Sequence, residues 1–408
     1  MDTPAATARL PSLDIVRGVA VLGILLLNIL SFALPEAAYI NPRAYGGWHG
    51  PDLAAWAVNF VLFDGKMRGL FSFLFGASML LVIERAEATD RSAAEVHYRR
   101  MFWLLLFGLA HLWLVWEGDI LAHYALVGMI AYAMRRLPVS GLLVLGTMLA
   151  LLGVFVFASV PIEIAQLPAG AKQLHGYTLS FGVPLPADIA ADLALHRGSY
   201  GAILVDRMSD GSASPLALMG FYGPETLAYM LFGMAALRSG MLRGEWTPAH
   251  YRRWLVIGWG IGLPAFIALA AWQWTAGFGL LTVAIAALPL AALARPFMIA
   301  GWICLILLLA RPGGTLTVRL AAAGRMAFTN YLATSLICTT IFYGYGLGWY
   351  GDLSRWQLYP LVFAIWALIL LWSKPWLDRF GYGPLEWAWR SLARWKIQPL
   401  RTNATASQ

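Results

Sequence analysis

Apolar stretches long enough to cross a bilayer, about 17–25 residues, recur along the whole chain with short Lys/Arg clusters between them. Ten such stretches can be marked: 14–34, 68–84, 101–116, 119–134, 139–160, 217–237, 254–273, 286–310, 327–346 and 357–373. Hydrocarbon offers no partner to a bare peptide group, so a long apolar run that enters it must bond its own backbone as a helix. Apolar residues make up 60% of the chain and charged residues 12%, whereas soluble domains are nearer about half apolar and a quarter charged. The expected fold is therefore all-α: a polytopic transmembrane helical bundle of about ten spans, forming one domain over residues 1–408. Two further regions leave eleven or twelve spans open. Residues 52–66 read as an outer interfacial helix leading into the second span. Residues 277–295, interrupted by Pro289 and Pro296, read as an outer or re-entrant piece.

Orientation follows from where the cations fall, because Lys and Arg collect on the cytoplasmic side. With the N-terminus inside, 21 of the 29 basic residues lie in cytoplasmic segments. Both termini are then cytoplasmic, as in a bacterial inner-membrane protein. The first stretch resembles a signal peptide in position, but its length and its Asp14, Arg17 and Asn28 argue for a retained helix. Residues 161–216 become an extracytoplasmic loop capping the outer face. Residues 374–408 become a cytoplasmic tail whose 384–396 segment, basic and rich in Trp, reads as an amphipathic helix on the inner leaflet.

The net charge of +8 raises nucleic acid as a partner. The basic residues form no dense run interleaved with aromatics, so the expected partner is the phospholipid bilayer and not a nucleic acid. The two cysteines, Cys304 and Cys338, lie inside apolar stretches at no metal-ligand spacing, so neither a disulfide framework nor a metal site is expected.

Polar groups inside the spans are the informative ones, since each costs energy unless partnered or solvated. At 100° per residue, Asp14, Arg17 and Asn28 share a helical sector of about 60°. That stripe should face the protein interior; Asp14 and Arg17 also satisfy an i,i+3 ion pair that merely anchors the helix. The third span ends in His111-Leu-Trp-Leu-Val-Trp116-Glu117-Gly118-Asp119. Imidazole is the side chain best suited to acid/base work near neutral pH, and a following carboxylate can orient it. A structural histidine bonded to a carbonyl fits the same pattern. Lys66 opens the second span and is a candidate partner for Glu117 or Asp119. Arg325 and Asn330 sit just inside the inner interface, where they either join helices or touch a ligand. Gly346-Leu-Gly348-Trp-Tyr-Gly351 meets the GxGxxG spacing but follows no strand, so it carries no dinucleotide reading.

Five motifs in order resemble one family. They are Leu13-Asp14-x-x-Arg17-Gly18 through Asn28, Lys66 with Leu70-Phe71 and Leu74-Phe75-Gly76, and His111 with Trp116-x-Gly118-Asp119-Ile120-Leu121. Gly324-Arg325-Met326-Ala327-x-Thr329-Asn330-Tyr331 and Gly383-Pro384-x-Glu386-Trp387-x-Trp389-Arg390 complete the set. Together they resemble the YeiB-like bacterial inner-membrane proteins over nearly the full length. The opening helix is also similar to that of the heparan-glucosaminide acetyltransferases, transmembrane enzymes that use cytoplasmic acyl-CoA to modify an acceptor across the membrane. Glu117 stands where Asp is usual and Thr334 where Gln is common.

The resemblance implies a membrane-embedded acyltransferase with acyl-CoA as co-substrate and a small-molecule or glycan acceptor. His111 is then the base, oriented by Asp119, with Asn28 as oxyanion donor and His49 as the reserve base. Asp14, Arg17, Arg325 and Asn330 frame the cytoplasmic mouth, and Arg99, Arg100, Arg252 or Arg253 hold the phosphates. Trp116, Glu117, Lys66 and His49 are the candidate acceptor contacts. A homodimer is left open. The alternative is a proton-coupled transporter or lipid-linked flippase using the same polar stripe.

Overall fold

A computed structural model of the chain describes residues 10–209 and 214–401. The described residues are helical apart from turns and an isolated β-bridge between Phe380 and Arg401. In chain order the helices are α1 (Pro11–Ala33), α2 (Gly50–Val58), α3 (Lys66–Glu87), α4 (Ala93–Leu114), α5 (Leu121–Ala131) and α6 (Val139–Gln166). Three short ones follow, α7 (Lys172–Phe181), α8 (Pro186–His196) and α9 (Tyr200–Ser209), then α10 (Pro215–Arg238) and α11 (Pro248–Thr275). The last are α12 (Leu280–Ile285), α13 (Ala291–Leu309), α14 (Thr315–Arg325), α15 (Ala327–Phe342), α16 (Tyr359–Arg379) and α17 (Pro384–Ala393).

Among the described residues six helical units are long and apolar enough to cross a membrane, or seven if the bent α7–α8 pair counts as one. The chain is thus a multi-pass membrane protein, and six of the ten expected stretches have a helix of spanning length. The other four lack a helix that is both long and apolar enough. Leu121–Met134 and Ala327–Phe342 are apolar but short, about 21 and 24 Å at 1.5 Å per residue, against a hydrocarbon core of about 30 Å. Helices α4 and α10 are long enough, but Arg99 and Arg100 in one and Glu225 in the other dilute their apolar run.

Two apolar segments pass a π turn, which lets a helix continue through a local misfit. Residues 280–309 form one 30-residue unit, with Pro289 absorbed in the π turn Ala286–Leu290. They are not a separate re-entrant piece. Gly50–Glu87 likewise counts as one 38-residue unit, passing a π turn at Asn59–Phe63 and a left-handed Gly65 with φ +67°. At about 57 Å it is longer than the hydrocarbon core of about 30 Å.

Helix α1 is the hub: 72% of its apolar window is buried, against 22% for α6 and α11, which form the rim. Its closest neighbour is α14, reached through Gly18 and Gly324, where a methyl would overlap the carbonyls of Leu320 and Asp14 respectively. Small residues allow that approach of backbones, as is usual between membrane helices. Elsewhere the bundle is pinned by charge. Glu225 on α10 is 2% exposed and accepts from Arg68 of α3 (2.6 Å), from Arg295 of α13 and from the Tyr229 hydroxyl (3.1 Å). An ionised group so deep persists only with such partners.

The bundle has two ends, a near end where α1 starts and a far end where it finishes. The 161–216 insertion begins later than expected, because α6 runs through Pro161 to Gln166. Its helices α7–α9 cover the far end. Asn41 donates to Phe181 O (3.0 Å), Arg197 to Tyr350 O (2.7 Å) and Tyr200 to Leu114 O (2.9 Å). The tail also differs. Lys374 belongs to α16, which continues to Arg379, and α17 docks on α4 and α15 at the near end. Glu386 accepts from the backbone N–H of Phe328 (2.8 Å) and Thr329 (3.0 Å), satisfying donors at the start of α15 that no residue of that helix can reach. The segment packs on the bundle through these contacts while most of its residues stay half-exposed.

Candidate functional site

His111 lies in the last turn of α4 and is buried. The chain reverses through Trp116–Gly118, and Asp119 returns just ahead of α5. One Asp119 oxygen accepts from the Ala122 N–H (2.8 Å), as a helix-capping carboxylate does. The other lies 2.8 Å from His111 Nδ1, and both side chains are at most 1% exposed. A carboxylate at Nδ1 favours the tautomer with the proton there, leaving Nε2 as the acceptor. His111 Nε2 is buried without a hydrogen-bond partner among the described residues. Around it stand Tyr331, with ring centroids 5.3 Å apart, and Trp116, which stacks on Phe32 of α1 at 4.0 Å.

A cavity of about 290 Å³ enters from the near end between α1, α3, α4, α14 and α17. Apolar side chains such as Leu13, Ile24, Phe71, Leu74 and Phe75 supply most of its lining, with Asp14, Arg17, Arg85, Arg100, Arg325, Glu386 and Arg390 as its acidic and basic members. Arg17 pairs with Asp14 (3.0 Å) and donates to Ser78 Oγ (2.6 Å), so the Asp14–Arg17 part of the predicted stripe faces the cavity. The cavity ends at Ile120, Leu121, Tyr124 and Tyr331. Neither His111, Asp119 nor Asn28 lines it, contrary to the expected shared chamber. The His111 imidazole lies beside Tyr331, one of these lining residues, with ring centroids 5.3 Å apart.

Beside the cavity mouth is a second, more polar groove of about 710 Å³. Arg85, Arg91, Arg99, Arg100, Arg390, Arg394 and Lys396 line it with a single carboxylate, Glu95. Arg85, Arg100 and Arg390 line both spaces, so the two are contiguous. Arg100 stacks over the Trp389 ring at 4.1 Å while the Trp389 indole donates to the Arg100 carbonyl (2.9 Å).

Several expected contacts fall elsewhere. Asn330 is fully buried: its amide donates to Ala323 O (3.1 Å) and Ser373 Oγ (3.2 Å), and its oxygen accepts from Trp372 (3.1 Å). Saturated in this way, it joins helices and touches no cavity. Lys66 bonds neither Glu117 nor Asp119; its ammonium donates to the Phe60 carbonyl and sits 3.1 Å over the Phe266 ring. His49 is exposed, its ring tilted against Trp48 with centroids 3.8 Å apart, and lines neither space. Arg252 and Arg253 are exposed at the start of α11 and line neither. Arg99 faces the groove but pairs with Glu95 (2.5 Å). Glu117 binds Arg207 of α9 (3.0 Å) and the Tyr343 hydroxyl (3.3 Å), and Trp116 is a buried stacking residue. Asn28 is half-buried with no hydrogen bond to a described residue.

The family model described as "Protein of unknown function (DUF418)" matches residues 236–396. The chain is 35% identical over 393 residues to the uncharacterized protein YeiB of Escherichia coli strain K12, covering 93% of this chain and 95% of that one. It is 32% identical over 413 residues to the uncharacterized protein YxaH of Bacillus subtilis strain 168, covering 96% of each. The chain belongs to the YeiB-like family.

In this YeiB-like chain, sequence reasoning missed several groups that shape the site. Ser78 and Tyr124 line the cavity but look like ordinary helix residues in sequence. His97 also lines it, held by its Nε2 contact with the Gly128 carbonyl at 3.0 Å. Tyr331 lies beside both His111 and the cavity, and its place in the Gly324–Tyr331 motif was the available signal. The role of Arg207 had no local signal at all.

Proposed function

We propose that this YeiB-like protein is an acyltransferase that takes an acyl group from acyl-CoA and passes it to an acceptor hydroxyl or amine. The single observation that carries the reading is the basic groove that opens into a mostly apolar cavity, ending one side-chain layer from the His111–Asp119 pair. Arginines at a groove suit the phosphates of a CoA head. The cavity suits a narrow, amide-bearing arm, with Arg17, Ser78 and Tyr124 to meet its polar atoms. In the transfer step His111 Nε2 takes the proton from the acceptor as its oxygen or nitrogen attacks the thioester carbonyl. Asp119 stabilises the imidazolium that forms. The C–S bond then breaks, and the leaving thiolate receives the proton from His111. Asn28, on the α1 face that also presents Asp14, Arg17 and Ile24, donates to the oxyanion. Ile120 and Tyr331 must shift for the thioester to reach the imidazole.

The same proposal includes the finer topology: ten crossings in the bacterial inner membrane, both termini cytoplasmic, and the near end facing the cytoplasm where acyl-CoA is made. Helices α5 and α15 then cross only as inner members of the bundle, sheltered by longer neighbours.

The test is thiol release from acetyl-CoA and longer acyl-CoA by detergent-purified protein. Wild type should turn over, and His111→Ala should lose at least about a hundredfold with unchanged elution on size exclusion. Equal turnover by the variant would remove His111 from the chemistry. No turnover, combined with proton-driven uptake in reconstituted vesicles, would favour the transporter or flippase reading. One observation supports that reading: the polar groups of α1 and of the α4–α5 reversal run in sequence from the near end toward the far end.

A further inference from the structure

Among the described residues the buried Lys and Arg side chains are Lys66, Arg207, Arg295 and Arg355. Arg207 and Arg295 pair with Glu117 and Glu225, and Lys66 donates to the Phe60 carbonyl with its ammonium over the Phe266 ring. Arg355 has no such compensation. It lies at the far end, directly ahead of the 24-residue helical unit Trp356–Arg379 that contains α16, and is 0% exposed. Its Nη2 donates to the Ala38 carbonyl (2.6 Å) and reaches that of Tyr45 (3.5 Å). Its Nε and Nη1 are buried and bond to no described residue. Asp52 accepts from the Trp356 N–H (2.9 Å) and forms no ion pair with the guanidinium. Burial lowers Arg355 to about 10, against the opposing influence of Tyr359 and Asp52, so it remains a cation at neutral pH.

A buried cation is costly unless a counter-charge and hydrogen-bond acceptors meet it. Here the start of a long helix adds a second positive potential to that of the guanidinium. The chain between α1 and α2 closes over this corner: the Arg355 N–H donates to the Gly46 carbonyl (2.7 Å) and the Tyr45 hydroxyl to the Gly351 carbonyl (2.9 Å). We propose that Arg355 holds one small inorganic anion of halide size where the α1–α2 connection meets the start of the Trp356–Arg379 unit. Charge and enclosure set the class. A neutral molecule would leave the cation uncompensated, and a side chain with no exposure gives an organic phosphate or carboxylate no opening through which its remainder could stay outside. A monatomic anion accepts from Nε or Nη1 and asks for no further polar group, while the Ala38 carbonyl keeps Nη2. Bound there, the ion ties the α1–α2 connection to α16, so the order of the far end depends on the anion present. Arg355, Ala38 and Tyr45 line neither the near-end cavity nor the basic groove, and the site does not rest on the acyl-transfer reading.

The test is hydrogen exchange of full-length protein in detergent, followed by peptide mass spectrometry in sodium chloride, sodium sulfate or sodium gluconate. Ionic strength is held at about 0.1 M throughout, so that screening is the same in all three. In wild type, chloride should slow exchange over residues 36–47 and 351–358 at least about threefold relative to gluconate, because an ion bound only to the closed form opposes its opening. Sulfate, too large for the enclosed corner, should leave both segments at the gluconate rate. Arg355→Gln should lose the chloride response there. Equal exchange in chloride and gluconate would overturn the site, as would a response retained in Arg355→Gln. Protection of the same segments by sulfate would also overturn it, and so would equal slowing along the whole chain, which marks a general salt effect. Should Arg355→Gln not fold, the comparison of the three anions on wild type decides by itself. These segments are remote in sequence from the basic groove at 85–100 and 390–399, so anions collected by its arginines are read separately.

Discussion

Replacing Asp119 by Asn tests the central geometry with the loss of one charge and almost no change of shape. Two donors converge on the wild-type carboxylate: the Ala122 N–H at 2.8 Å on one oxygen and His111 Nδ1 at 2.8 Å on the other. An asparagine offers one acceptor oxygen and one NH2 group, so it cannot accept from both. Surrendering the Ala122 bond costs about 1 kcal/mol as a lost helix cap. Flipping the imidazole tautomer costs less. The expected outcome is therefore that the introduced amide keeps its oxygen on Ala122 and donates its NH2 to Nδ1, which places the ring proton on Nε2. The nitrogen that must accept the acceptor's proton is then already protonated, and the imidazolium loses its counter-charge. An analogous carboxylate-to-amide change in a serine protease triad lowers kcat about 10⁴-fold; here about 10³–10⁴-fold is expected, or about 4–5 kcal/mol in the barrier. Thiol release from acyl-CoA reads the rate, and thermal unfolding in detergent should move by only a few degrees. A variant that kept more than a tenth of wild-type turnover would refute the reasoning, because its imidazole would still be acting as a base.

Two further outcomes follow from the charged clusters. Glu225→Gln leaves Arg68 and Arg295 buried against a neutral amide and should destabilise the bundle by about 3–5 kcal/mol, seen as loss of the monodisperse peak after mild heating; an unchanged midpoint would show that water already reaches the pair. In the cap, burial alone lowers the His196 imidazole, but its hydrogen bond to Asp192 (2.8 Å) and that residue's charge outweigh burial and raise it above its ordinary 6.5. A raised folded-state value means the cap's contribution is complete below about 6.5 and is lost as pH climbs through the folded value. Hydrogen exchange of residues 186–209 should accordingly quicken in wild type as pH rises above about 6.5, and show no such pH step beyond intrinsic exchange in Asp192→Asn.

What the chain determined alone is what depends on composition and on neighbours a few residues apart. The abundance of apolar runs set the membrane class, because no water-soluble fold hides so much apolar surface. The Asp14–Arg17 stripe followed from helical period, and the His111–Asp119 contact joins groups only eight residues apart across one glycine-bearing reversal. Tertiary structure decided the rest. Arg17 meets Ser78 across 61 residues and Glu225 meets Arg68 across 157, separations over which periodicity carries no information about facing. Asn330 looked like a ligand group until Ser373 and Trp372, brought by α16, saturated it. Local backbone geometry is written in spacing, whereas the pairing of distant polar groups emerges only when packing removes water and each must find a partner.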